Sequence, residues 1–149
     1  MFNHVPVILP PLERETVDGV RYYQVPDNDE LLKLVSITSV TSHHNRDIFV
    51  NWRKKVGEEE ANRIIKQSTD IGTMVHEALE LYLNDHEWRN FSDNQDGVLA
   101  ERMTEKFIES GLNSITEVWG LEVGLILDGL YAGTADCVGT VSYTHLRAH

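Results

Sequence analysis

The sequence contains a single cysteine, Cys137, among 149 residues, and it has no apolar run of the length that a membrane helix requires. One thiol cannot form an internal disulfide, so a reducing cytoplasm is the expected setting. The longest strongly apolar stretch, 121–135, is interrupted by Glu122 and Asp128, which argues against a membrane span. The N-terminal segment MFNHVPVILPPLERE lacks the basic and apolar regions of a signal peptide, so we expect a protein that is not secreted.

Positive charge is also scarce. The chain has 13 lysines and arginines against 24 aspartates and glutamates, which gives a net charge of −11. This balance is unsuited to nonspecific coating of nucleic acid, because such proteins neutralise phosphates with a basic surface. A nuclease is not excluded, since divalent metals can supply positive charge at the scissile phosphate. Arg46, Arg53, Lys54 and Lys55 form a candidate basic strip, although a solvated helix face gives the same pattern.

The remaining composition is that of a globular chain, with 41% apolar and 25% charged residues, and the length suits one domain. Residues 1–35 are predicted to form an N-terminal arm with one short strand near residues 19–26. Residues 36–114 are predicted to form a helical region. Residues 115–141 are predicted to form a β-hairpin around Asp128-Gly129, which is a strong hairpin signal. Helices followed by a hairpin predict an α+β fold.

Helical spacing predicts several helices within the region 36–114. Possible N-caps at residues 36–41 precede a helix that ends near Gly57. A helix over residues 58–67 follows, and Ser68 to Asp70 predict a fresh helix start. The segment 98–110 is predicted to be a further amphipathic helix. Its apolar residues, predicted to face inward, are Leu99, Met103, Phe107 and Ile108.

The segment GTMVHEALE, residues 72–80, contains a candidate metal ligand. His76 and Glu80 are four residues apart and therefore share one helix face. The neighbouring apolar residues predict a half-buried imidazole beside a carboxylate, which suits a metal ligand. A structural histidine within the core is the alternative. The segment also approaches the zinc-protease motif H-E-x-x-H, but Glu80 occupies the position of the second histidine.

Two carboxylates lie in the predicted hairpin. Asp136 interrupts an apolar strand, where a carboxylate is costly unless it is paired or bound to a cation. Glu122 lies in the preceding strand, and its position relative to Asp136 depends on the register. A two-residue loop at Asp128-Gly129 would set Glu122 opposite Ala135, so the two carboxylates would point to opposite faces of the sheet. A three-residue loop with a bulge would set Glu122 opposite Asp136. The sequence leaves both registers open.

These elements in this order resemble the RecB-like branch of the PD-(D/E)xK nuclease superfamily. The closest likeness is to phage exonucleases and the mitochondrial genome maintenance exonuclease. The matching segments are SITSVT before the first long helix, Trp52 within it, GTMVHEALE, Glu122 and YAGTADCVG. The resemblance covers residues 36–141 and implies an α/β core like that of the restriction endonucleases.

The resemblance implies a DNA exonuclease that hydrolyses phosphodiester bonds with Mg²⁺ or Mn²⁺. In this branch a helix histidine and the aspartate of the G-T-x-D strand bind the metal, which would be His76 and Asp136. Glu122 occupies the position of a glutamate that supports the site, and Glu80 would support His76. The implied partner is DNA with free ends, including single-stranded DNA, and the implied setting is the cytoplasm of a phage-infected bacterium, with roles in recombination or repair.

The sequence departs from the family where the catalytic motif should be completed. The family carries a second acidic ligand and a lysine, spaced as in D-x-K, on a further strand, and the lysine positions or activates the attacking water. No aspartate, glutamate or lysine follows Asp136. The ending SYTHLRAH, residues 142–149, resembles a translated sequencing-adapter tail. We therefore interpret the chain as the N-terminal part of a longer nuclease, with the remaining strands of the sheet missing and a tail that is not native.

A longer nucleotide sequence that continued in frame through residues 142–149 to a natural stop codon would contradict this interpretation. The alternative function is a non-catalytic helical module that acts as an accessory in phage recombination or replication. Binding of a divalent metal distinguishes the two, because an accessory module has no need of a metal site.

The 149-residue chain is predicted not to hydrolyse DNA, because the second acidic ligand and the lysine do not occur after Asp136. Labelled single-stranded and double-stranded DNA should stay intact when incubated with the purified chain and Mg²⁺ or Mn²⁺. Degradation that disappears in His76→Ala and Asp136→Ala would show this prediction to be wrong.

Overall fold

A computed structural model describes residues 1–6 and 12–142. Part of the predicted arm, residues 7–11, and the predicted tail from residue 143 lie outside the described residues. The strands are β1 (Asn3–His4), β2 (Glu13–Val17), β3 (Val20–Asp27), β4 (Glu30–Ser36), β5 (Ile115–Leu127) and β6 (Tyr131–Val141). The helices are α1 (Ile37–His44), α2 (Arg46–Val56), α3 (Glu58–Leu83) and α4 (Gln95–Ser110), followed by a 3₁₀ turn at Leu112–Ser114.

The six strands form one mixed sheet in the order β1-β5-β6-β4-β3-β2. Strands β2, β3 and β4 are antiparallel neighbours, whereas β1 runs parallel to β5 and β4 runs parallel to β6. The predicted α+β class and the predicted hairpin, here β5 and β6, are therefore confirmed. None of the helices in the described ranges has the length and apolar character needed to cross a bilayer.

Three antiparallel strands occupy the segment for which the sequence predicted an arm with one short strand. The connections are Asp18-Gly19 and Asn28-Asp29, and all four residues have positive φ angles, between 43° and 78°. Two successive positive φ angles are typical of the type I′ turn, whose twist matches that of antiparallel strands. Strand β3 confirms the predicted short strand near residues 19–26, whereas β2 and β4 replace parts of the predicted arm and were not predicted. Strand β2 is exposed throughout, so it lacks the apolar alternation that would have marked it.

The described residues cluster into two compact units. The meander unit contains residues 12–57 and 122–136, and its core consists of Tyr23, Val25, Leu34 and Ala132. Helix α1 packs on β3 and β4 in this unit. It begins at the buried Ser36, whose hydroxyl accepts a hydrogen bond from the backbone N–H of Thr38 at 3.3 Å, as an N-cap does.

The helical unit contains residues 1–6, 58–121 and 137–142. Its helix α3 runs unbroken over 26 residues, so the predicted helix start at Ser68 was wrong. The Thr69 hydroxyl donates to the Ile65 carbonyl at 2.8 Å, and the Thr73 hydroxyl donates to the Thr69 carbonyl at 3.0 Å. These hydroxyls hydrogen-bond within the helix instead of capping a new one, and the backbone continues through them.

Helix α4 packs against α3 through its small residues. Gly97, Ala100 and Thr104 are buried on this face, and Ala100 lies in a core cluster with Ile71 and Val75 of α3. A face of small side chains lets two helices approach closely. For this reason α4 packs against α3 through its small residues and not through its larger apolar residues. The prediction that Leu99, Met103 and Phe107 face inward was wrong, since these side chains are 46%, 38% and 50% exposed. Ile108 is half-buried.

Two helical glycines should respond in opposite ways to alanine. A Cβ on Gly97 would lie 1.8 Å from the Ser92 carbonyl oxygen, whereas a Cβ on Gly72 would meet nothing within 4 Å. Gly72→Ala should raise the free energy of unfolding by about 0.5–1 kcal/mol, because alanine favours the helix. Gly97→Ala should lower it by about 1–3 kcal/mol, because the backbone at Ser92 must move. Urea denaturation of both variants measures the signs, and a stable Gly97→Ala would contradict the packing described here.

Candidate metal centre

The loop between β5 and β6 fixes how the two candidate carboxylates meet. It consists of the three residues Asp128–Leu130, which follow Leu127 and precede Tyr131. The Leu130 N–H donates to the Leu127 carbonyl at 3.0 Å, and Gly129 supplies a φ of 71°. Of the two registers open to the sequence, the three-residue loop is the one that sets Glu122 opposite Asp136.

Glu122 and Asp136 are close neighbours within the meander unit. One carboxylate oxygen of each lies within 4.8 Å of the other, and both residues are exposed. The hairpin therefore presents two like charges side by side, an arrangement that a bound cation stabilises.

Glu122 has an unusual backbone for a residue within a strand. Its φ is 52°, in the left-handed region that costs a non-glycine residue about 1–2 kcal/mol. Farther along the strands, the hydroxyls of Thr116 and Thr140 lie 3.1 Å apart, so these two residues are neighbours across the hairpin. A regular antiparallel ladder that started at the three-residue loop would instead place Thr116 opposite Ser142. Strand β5 therefore accommodates extra residues relative to β6, as in a β-bulge, and a bulge redirects the side chain at its position.

His76 and Glu80 lie on α3, in the helical unit, and both side chains are exposed. The predicted half-buried imidazole was therefore wrong. The buried stripe of α3 contains Ile71, Val75 and Ala78, and His76 lies beside this stripe, one residue beyond Val75. Because the imidazole is exposed, the alternative of a structural histidine within the core is wrong as well.

Within the meander unit, the structure brings together Asp136, which was predicted as a metal ligand, and Glu122, which was predicted as a supporting glutamate. The other predicted ligand, His76, and its predicted support, Glu80, belong to the helical unit. Carboxylate oxygens suit Mg²⁺ or Mn²⁺, and an imidazole nitrogen suits Mn²⁺.

The distance between the two carboxylates is also compatible with their binding one metal ion. Two oxygens bound to one Mg²⁺ at about 2.1 Å lie between about 3 Å and 4 Å apart. The oxygens of Glu122 and Asp136 lie within 4.8 Å of each other, and this upper bound is slightly above the range. Both side chains are exposed, so rotation about their side-chain bonds can close the difference.

Helix α2 forms a basic and aromatic surface in the meander unit, and none of its residues is buried. The Phe49 and Trp52 rings are stacked with centroids 5.5 Å apart, and the Arg53 guanidinium lies 5.8 Å from the Phe49 ring centre. Lys54 and Lys55 follow in the last turn, and Arg46 begins the helix. The predicted basic strip thus belongs to one exposed helix, and the aromatic stack beside it was not predicted.

Glycine at position 122 should relieve the backbone strain of β5. Glu122→Gly is expected to raise the free energy of unfolding by about 0.5–1 kcal/mol, because glycine adopts a positive φ without steric cost. The control Leu125→Gly, in the same strand with an exposed side chain, should lower it by about 1 kcal/mol. Chemical denaturation measures both, and an equal loss in the two variants would contradict the strain at Glu122.

No family model, no curated protein and no solved structure matches this chain. The argument for its function therefore depends on its own side chains. The two features that carry it are the facing carboxylates of β5 and β6 and the basic, aromatic surface of α2.

Proposed function

We propose that this chain carries the metal-binding part of a metal-dependent DNA exonuclease of the PD-(D/E)xK superfamily, with a core like that of the restriction endonucleases. Its proposed metal ligands are Glu122 and Asp136, together with His76, which the resemblance to this superfamily implies, and the metal is Mg²⁺ or Mn²⁺. The observation that carries this proposal is the pair of facing carboxylates, whose oxygens lie within 4.8 Å of each other. One of the pair belongs to the G-T-A-D strand on which the resemblance to this superfamily rests.

Each proposed ligand has a distinct part in holding the metal. Asp136 and Glu122 supply hard oxygen ligands and cancel the charge of the cation, as Mg²⁺ sites require. His76 adds an imidazole nitrogen, which Mn²⁺ accepts more readily than Mg²⁺. When bound, the cation would polarise the scissile phosphate and favour ionisation of a bound water. Three protein ligands leave coordination positions for that water and for the phosphate.

DNA is the proposed substrate because α2 combines the two features that single strands require. Cationic side chains attract the phosphates, and Arg46, Lys54 and Lys55 supply these charges. Aromatic rings stack on bases with little regard to sequence, and Phe49 with Trp52 offers such a platform. The preference for free ends, and a role in phage recombination or repair, follow from the resemblance to the RecB-like exonucleases.

Metal binding is a more direct test of this proposal than hydrolysis. No residue after Asp136 has the carboxylate or the amine that the family uses to complete the site, so the activation of water has no assigned residue in this chain. The three proposed ligands are present, and their affinity for a cation can be measured on the chain as it is.

Calorimetric titration with Mn²⁺ should give saturable binding of one ion per chain. Asp136→Asn and Glu122→Gln should each weaken this binding about tenfold or more, because each removes a charged ligand. His76→Ala should weaken it as well. The matched controls are Glu77→Gln and His86→Ala, which alter exposed residues of the same types outside the proposed site and should leave the affinity unchanged.

Two results would contradict the proposal. Absence of Mn²⁺ binding would favour the non-catalytic binding module, because an accessory protein needs no cation at these residues. Weakening by the control substitutions equal to that by Asp136→Asn would indicate that the ion is attracted by the net negative charge and not held by a site.

A further inference from the structure

The outer surface of α4 carries an apolar stripe that the proposed nuclease function does not use. Leu99, Met103 and Phe107 recur at every fourth residue, so they lie one above another on a single face. Their side chains are 46%, 38% and 50% exposed. The neighbouring face of α4, which contains Ala100 and Thr104, packs against α3, and the stripe beside it remains partly exposed. Exposed apolar stripes on a helix are typical of binding surfaces for other proteins.

One end of the stripe forms an open groove with a volume of about 310 Å³. Met103 and Phe107 provide its apolar lining, together with Ser110. Arg102 and Lys106 line it as well and place two positive charges beside the apolar surface. This volume lies at the lower end of the range of ligand pockets, about 300–1,000 Å³, which suits one bulky side chain.

The two charged side chains that line the groove are positive, whereas the whole chain has a net charge of −11. The acidic residues Glu101 and Glu105 of α4 lie at 3.7 Å and 3.2 Å from the Arg89 guanidinium, away from the groove. Glu109 lies 3.3 Å from the Lys106 ammonium, but both side chains of this pair are largely exposed. An exposed ion pair contributes little stability and exchanges readily, so Lys106 can pair with another carboxylate.

We infer that this groove binds an acidic peptide segment of a partner protein, anchored by one bulky apolar side chain. The anchor packs against Met103 and Phe107, and carboxylates of the peptide pair with Arg102 and Lys106. A second copy of this chain fits less well, because two molecules with a charge of −11 repel each other. Nucleic acid fits less well too, since the groove is lined by apolar atoms and has only two cations beside it. The inference does not depend on the metal centre.

The test uses a fluorescein-labelled acidic peptide that ends in phenylalanine, titrated with the full chain and followed by fluorescence anisotropy. Phe107→Ser, and Arg102→Glu combined with Lys106→Glu, should each weaken binding about tenfold or more. Replacing the terminal phenylalanine of the peptide with alanine should do the same. The matched control is Val98→Ser, which removes an exposed apolar side chain of α4 that does not line the groove.

Circular dichroism of each variant should show that the helices are retained, because the substituted side chains are exposed. The inference is overturned if the peptide does not bind, or if Phe107→Ser and Val98→Ser bind it equally well. It is also overturned if light scattering detects self-association of the chain that Phe107→Ser abolishes. That result would assign the stripe to contacts between copies of this chain.

Discussion

The register of the hairpin formed by β5 and β6 is the constraint on which the candidate site depends. Side chains alternate between the two faces of a strand, so a slip of one residue moves every side chain of that strand to the other face. The three-residue loop Asp128–Leu130 places Glu122 and Asp136 side by side. The same strand β6 buries Ala132 in the core of the meander unit, and it brings the Thr134 hydroxyl within 3.0 Å of the Tyr23 hydroxyl. A two-residue loop would separate the carboxylates and disturb this packing as well.

The arrangement of the carboxylates is costly in a way that a cation would offset. Two like charges within 4.8 Å oppose each other, and the backbone at Glu122 adopts a left-handed conformation that favours glycine. A sequence selected for stability alone would place glycine or a neutral side chain at this position. Bulges occur often beside active sites, where they redirect one side chain. The proposed divalent ion would account for a glutamate at this position, which stability alone does not.

The local signals of the sequence were sufficient for parts of the fold. Ser36 as an N-cap, Gly57 at the end of a helix and the hairpin around Gly129 all follow from backbone preferences that depend on a few neighbouring residues. The strand β3 was predicted, whereas β2 and β4 were missed, although Asp18-Gly19 has the composition of a hairpin turn. The reason is that β2 has no buried face, so apolar alternation could not mark it.

Tertiary packing decided the features that the sequence could not settle. On α4 the small residues Gly97 and Ala100 face α3, because close approach of the helices outweighed the burial of larger side chains such as Phe107. For the candidate site, the residue types were predicted from the order of the motifs, but their arrangement was not. The register of Glu122 depended on the length of one loop, and the exposure of His76 depended on which neighbours α3 buries.

The most direct test of the central claim is an NMR titration of the ¹⁵N-labelled chain with substoichiometric Mn²⁺. A paramagnetic ion broadens the resonances of the nuclei nearest to it, so the experiment locates the ion without any substitution. Our account predicts that the amide resonances around Glu122, Asp136 and His76 broaden first and that excess Mg²⁺ restores them. Broadening that begins instead at the other acidic segments, such as Glu58–Glu60, or that spreads evenly over the acidic surface, would contradict it.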